Sequence, residues 1–164
     1  MTVVSDSSPL VVLAKLGCFD LLRRIFPHLH ISTEVHHEVV VSGVGLPGAS
    51  EVSEAKWIEV VKLQDQKDLL AAREKYALGD GELSTILLAK EIHADAVLID
   101  DFNARRLARI EGLQVQGTVG LLETFHTQGH LIDLRATFRQ LLQCSYIDQK
   151  LLDLRLLALG LPPL

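Results

Sequence analysis

Two adjacent carboxylates, Asp100 and Asp101, stand directly behind the apolar run Ala96-Val97-Leu98-Ile99. Like charges side by side repel, and a divalent cation is the commonest means of offsetting that repulsion. A third acid, Asp6, closes a second, β-branched run, Thr2-Val3-Val4-Ser5. Glu82 follows the turn-like Leu78-Gly79-Asp80-Gly81, and Glu38 follows His36-His37. Brought together, these oxygen donors make a hard site suited to Mg²⁺ or Mn²⁺. Taken singly, each has an ordinary explanation. Asp6 reads equally as a turn residue, Glu38 as a solvated helix residue, and Asp80 and Asp101 as helix caps. Glu82 sits in a first helical turn, where the dipole favours an acid anyway.

Whether the acids meet depends on the elements that carry them. An uninterrupted apolar run such as 96–99 suits a strand buried on both faces of a parallel sheet. Residues 2–5 suit a first strand, 29–31 a short second one, 57–61 an edge strand and 113–116 a last one. Helical patterns fill the intervals: 9–16 with Ser7 or Ser8 as cap and Pro9 at its first position, then 19–26. A helix capped by Ser32 or Thr33 runs to about Val41, with Val35 and Val39 stacked one turn apart. Further helices are expected at 49–55, 64–76, 81–92 and 102–110. The last three are 118–126, 133–143 and 147–159. Strands alternating with helices imply a three-layer α/β/α sandwich with a mostly parallel central sheet and extra C-terminal helices. All strands of such a sheet end on one edge, so Asp6 and the Asp100-Asp101 pair should share it, where open α/β sheets bind ligands. Glu82, after a glycine turn, can face the same edge. The apolar neighbours of Glu38 should partly bury its side of the helix.

The chain's 164 residues favour a single domain, divided into a core over 1–127 and a helical extension over 130–164. At 48% hydrophobic and 23% charged, it is expected to pack a globular core. The longest unbroken apolar stretch, Leu10–Ala14, is far short of the roughly 20 residues of a spanning helix, and the N-terminus lacks a secretory pattern. A cytoplasmic protein with two reduced thiols, Cys18 and Cys144, is the expectation. A net charge of −5 argues against indiscriminate coating of nucleic acid, though not against an enzyme that handles it through a local basic patch and metal. Arg105, Arg106 and Arg109 supply such a patch directly behind the acids. A zinc site at His36-His37 is disfavoured, because adjacent histidines point to different faces of a helix.

Four blocks, in this order and spacing, resemble the PIN-domain nucleases, the family that includes many bacterial toxin ribonucleases. They are Val3-Val4-Ser5-Asp6-Ser7-Ser8-Pro9-Leu10, Ser32-Thr33-Glu34-Val35-His36-His37-Glu38-Val39, Leu78-Gly79-Asp80-Gly81-Glu82-Leu83-Ser84-Thr85 and Val97-Leu98-Ile99-Asp100-Asp101-Phe102-Asn103-Ala104-Arg105-Arg106. The closing helices look like those of a longer prokaryotic branch. The resemblance implies metal-dependent hydrolysis of RNA phosphodiesters, with Mg²⁺ or Mn²⁺ held by Asp6, Glu82, Asp100 and Asp101. Asp6, Glu38, Glu82 and Asp101 are its catalytic acids, with Asp101 favoured over Asp100 for direct metal contact. Ser8, Asp80 and Thr118 fall at supporting positions, and Arg105, Arg106 and Arg109 at positions able to hold the RNA backbone. The same resemblance implies an antitoxin partner and a homodimer. Two other readings compete. One is a non-catalytic PIN-like module binding nucleic acid or protein. The other is a phosphoacceptor receiver domain, which is disfavoured because no lysine lies in or near 113–116.

Overall fold

The computed structural model describes residues 1–164 and forms one five-stranded sheet with ten helices. The strands are β1 (Val3–Ser5), β2 (Leu29–Ser32), β3 (Ile58–Val61), β4 (Ala96–Leu98) and β5 (Gln114–Gln116). Their order is β3-β2-β1-β4-β5, and every pair is parallel. The expected edge position of 57–61 is observed. The middle strand is β1, and the 96–99 run lies one place off centre. Val4 pairs with His30 on one side and Val97 on the other.

Side chains of a strand alternate between faces, and β1 divides the core accordingly. Val3 and Leu98 enter one apolar cluster, together with residues of α1 (Ser7–Lys15), α2 (Phe19–Ile25) and α8 (Thr118–Thr127). The closing helices α9 (Leu134–Cys144) and α10 (Gln149–Ala158) complete that layer through Leu134, Phe138, Leu141, Leu152 and Leu156. Val4, Val97 and Ile99 enter the second cluster, under α5 (Gln66–Lys75), α6 (Asp80–Glu91) and α7 (Phe102–Ile110). The result is the expected α/β/α sandwich. No helix is long and apolar enough to cross a membrane. Both cysteines are free, Cys18 buried and Cys144 partly so.

Three local expectations are corrected. The first helix is capped at Asp6, not at Ser7 or Ser8, so Pro9 occupies its third position. The proline is still harmless, because first-turn N–H groups have no helical partner. The sixth helix begins at Asp80 after a Gly79 cap, one residue early. The helix starting at Ser32 is regular only through α3 (Thr33–His36) and continues as a π-turn over His37–Val41, closed by Ser42 N–H donating to the His37 carbonyl at 2.8 Å. Val35 and Val39 are both buried, as their spacing suggests.

Caps at the far end give a modest stability test. Asp133 accepts the Ala136 N–H at 2.9 Å to begin α9. Asp133→Ala is expected to lower unfolding free energy by about 1 kcal/mol in denaturant titration. An unchanged midpoint contradicts that capping role.

Candidate functional site

In the order β3-β2-β1-β4-β5 the chain winds outward in one direction from β1 and then returns to β1's other side with β4. The crevice beyond the carboxyl ends of β1 and β4 is therefore the topological switch point, the place where such sheets leave a ligand cleft. Asp6 and Asp100 follow those two strands, and Asp6 N–H still pairs with the Leu98 carbonyl at 2.9 Å. A hollow of about 840 Å³ opens here. It is lined by the acids Asp6, Glu34, Glu38, Asp80 and Glu82, with Lys15 and His37 as its basic groups.

Asp6 lies deepest. It caps α1 with extended backbone, φ −76° and ψ 171°, but its carboxylate makes no capping bond and is only 4% exposed. Burial pushes its carboxyl up from the ordinary 3.8 to about 7. The Ser7 N–H opposes that rise, while Glu82, Glu38 and Asp100 add to it by repulsion. Beside it, the Ser7 hydroxyl is buried without any hydrogen-bond partner. Such orphaned groups are rare inside proteins.

Glu82 reaches the hollow from the first turn of α6. Its carboxylate accepts the Gly79 N–H at 2.6 Å. Burial raises its pKa, the Gly79 bond lowers it, and Asp101 and Glu38 raise it further. Glu38 projects from the π-turn and is exposed, not partly buried as its apolar neighbours suggested. Gly81 makes the close approach of these groups feasible. A Cβ there would lie 2.5 Å from Glu38 Oε2, 3.1 Å from Asp6 Oδ1 and 3.5 Å from Ser7 Oγ.

The paired aspartates take different positions. Asp100 receives the Ser8 hydroxyl at 2.8 Å and the Thr118 hydroxyl and N–H, each at 2.7 Å. Asp101 caps α7, accepting the Ala104 N–H at 2.8 Å through Oδ1, and is exposed. Asp100 repels Asp6, whereas Asp101 repels Glu82. Asp80 stands at the rim, held by both nitrogens of an Arg73 fork at 2.6 Å. Ser8 and Thr118 thus support Asp100, and Asp80 is tied outward.

The basic residues are not equivalent either. Arg106 and Arg109 are exposed, while Arg105 is half-buried and donates to the Ile99 carbonyl at 3.2 Å. Burial and neighbouring Arg109 lower the pKa of Arg105, and Asp100 opposes them.

No three of the carboxylates stand close enough to form a ready coordination cage. Glu82, Asp80 and Asp100 are engaged by donors of the protein itself, so cation binding requires side-chain rotation. The donor chemistry nonetheless fits a hard divalent cation: oxygen atoms alone, one buried carboxylate under repulsion from three others, and an unpartnered hydroxyl. Sequence reasoning placed Ser7 only as a helix cap and gave Gly81 and Lys15 no part in the site. A glycine between two acids was the available signal for Gly81. Nothing local marks Lys15.

The raised pKa of Asp6 has a measurable consequence. Its proton is held more tightly in the native state than in the unfolded one, so this stability is full below about 3.8 and lost as pH rises through about 7. Metal-free protein is expected to gain about 2 kcal/mol from this group between about pH 8 and about pH 5.5. Asp6→Asn should lack that gain, as read by denaturant unfolding in chelator. Parallel pH dependence of the two proteins contradicts the burial account.

A family model described as PIN domain matches the chain over residues 2–159. No curated protein matches it. Among solved structures, the chain is similar to a PilT N-terminus domain protein from the hyperthermophilic archaeon Sulfolobus solfataricus. The two are 15% identical with a TM-score of 0.52, over 76% of this chain and 92% of that one. At that identity the likeness concerns the fold alone.

Proposed function

The chain belongs to the PIN-domain family, a nuclease fold, and from that premise we propose that it is a Mg²⁺- or Mn²⁺-dependent ribonuclease of toxin type. The observation that carries the reading is the buried Asp6 carboxylate at the β1/β4 switch point, with Glu38, Glu82 and Asp100 near enough to repel its charge.

Asp6, Glu38, Glu82 and Asp100 are the residues that would hold the cation, and Asp101, which repels Glu82 and keeps one oxygen free of its capping bond, would support them. When bound there, such an ion would supply charge neutralisation of the phosphodiester and a more acidic water. Asp6 must give up its proton before it can serve, so activity should rise with pH toward about 7. Ser8 and Thr118 fix the Asp100 carboxylate in one orientation. The Ser7 hydroxyl, without a protein partner, is free to donate to a phosphate oxygen. Lys15 offers the hollow a cation for the neighbouring phosphate, and Arg106 and Arg109 face solvent where the backbone continues.

An antitoxin partner and a homodimer accompany a toxin-type reading. The exposed Leu151, Leu154 and Leu157 of α10 support a protein contact there. Purified chain incubated with single-stranded RNA should yield fragments with Mn²⁺ and none with chelator. RNA left intact with Mn²⁺ and Mg²⁺, yet bound, favours the non-catalytic module.

A further inference from the structure

A second hollow of about 810 Å³ adjoins the acidic one. The two share Val12 as a wall, and Asp100 lines the second while hydrogen bonded to Ser8 of the first. Their chemistry differs sharply. The acidic hollow suits a cation and the phosphate it would neutralise. In the second, both acids are satisfied. Asp100 is held by Ser8 and Thr118, and the buried Glu123 accepts a two-pronged contact from Arg155. The remaining lining combines hydroxyl and amide groups, including Gln116, Thr127 and Ser145, with the side chains of Phe102 and Tyr146.

Those two aromatics are the informative feature. Phe102 is 75% exposed at the start of α7, and Tyr146 is fully exposed in the segment between α9 and α10. Neither contributes to either core cluster. Exposed aromatic rings beside hydrogen-bonding groups and an arginine are what stacks and holds an unpaired base. The volume lies within the range of ordinary ligand pockets.

We propose that this second hollow, walled by β5, α8 and the closing helices, seats the nucleoside next to the phosphodiester held at the acidic hollow. Resting on the nuclease reading for the phosphate's position, it adds a base-binding subsite built by Phe102, Gln116 and Tyr146. The substrate must then present at least one unpaired nucleotide beside the cleaved bond, because a base stacked in a duplex cannot enter. Arg155, paired with Glu123, and Arg105, beside Asp100, balance the two acids of this hollow, so it sets no excess negative charge against the strand.

The test uses metal-free full-length protein, so it does not depend on turnover. Adenosine titrated into isotope-labelled chain should shift the amide resonances of 116–120 and 145–147. The Phe102→Ala/Tyr146→Ala double variant, altered only at exposed side chains, should raise the midpoint at least about fivefold and up to about 150-fold, the usual weight of one stack. Inorganic phosphate should not reproduce those shifts. The proposal is overturned if adenosine leaves those resonances unmoved up to its solubility limit. It is equally overturned if the double variant titrates like the parent, or if phosphate alone gives the same pattern. Adenosine binding without any RNA cleavage in Mn²⁺ removes the nuclease reading and leaves the subsite standing.

Discussion

Asp6→Asn is expected to reduce metal-dependent RNA cleavage at least about 100-fold, beyond the 10–100-fold typical when only a supporting group of a metal site is lost. Asparagine keeps the shape and one oxygen but removes the charge. It is this charge that Glu38, Glu82 and Asp100 repel and that a divalent cation would relieve. The fold should survive. Asp6 makes no capping hydrogen bond through its side chain, and its burial is the main cause that raises its pKa to about 7. A neutral side chain at this depth is easier to accommodate in the metal-free state. Loss of activity should therefore accompany equal or higher stability at about pH 8. Retained cleavage in Asp6→Asn removes Asp6 from the mechanism.

Gly81→Ala should separate activity from stability in a similar way. Alanine is the better helix former, by at most about 1 kcal/mol in a helix interior and less in the first turn where Gly81 lies, so the substitution does not disfavour the helix. Here the new methyl would sit 2.5 Å from Glu38 Oε2 and 3.1 Å from Asp6 Oδ1. The Glu38 carboxylate is the end of a flexible side chain on an exposed residue, so it swings aside at little cost to the fold. The expected result is an unfolding midpoint equal to or above the parent's with cleavage reduced about 10–100-fold, the loss typical when a metal site's supporting geometry is disturbed. A fall in stability with activity kept contradicts this packing at the site.

Much of this arrangement is legible in the residues because strand ends are marked locally. Apolar runs that stop at Asp6 and at Asp100 signal two parallel strands whose acids share an edge, and the observed pairing of Ser5 with Leu98 places them side by side. Glycines at 79 and 81 likewise announce the start of the helix carrying Glu82. What is not legible depends on distant partners. No local pattern distinguishes Asp100 from Asp101. Thr118, arriving from the far side of β5, holds one, while the other closes its own helix. Arg73 claims Asp80 from a different helix. The π-turn that carries Glu38 arises within a stretch whose valines are spaced for an α-helix, so its exposed position cannot be anticipated from Val35 and Val39. The closing helices show the same division. Their leucines suit either the core or a dimer seam by sequence alone, and only the fold sorts them: Leu152 and Leu156 enter the core while Leu151, Leu154 and Leu157 remain outside.

Calorimetric titration of Mn²⁺ into the purified chain is the most direct test of the carboxylate site. The parent should bind the ion more tightly as pH rises toward about 7, and Asp6→Asn should lose that binding. No binding by the parent, or equal binding by Asp6→Asn, contradicts a cation held at the junction of β1 and β4.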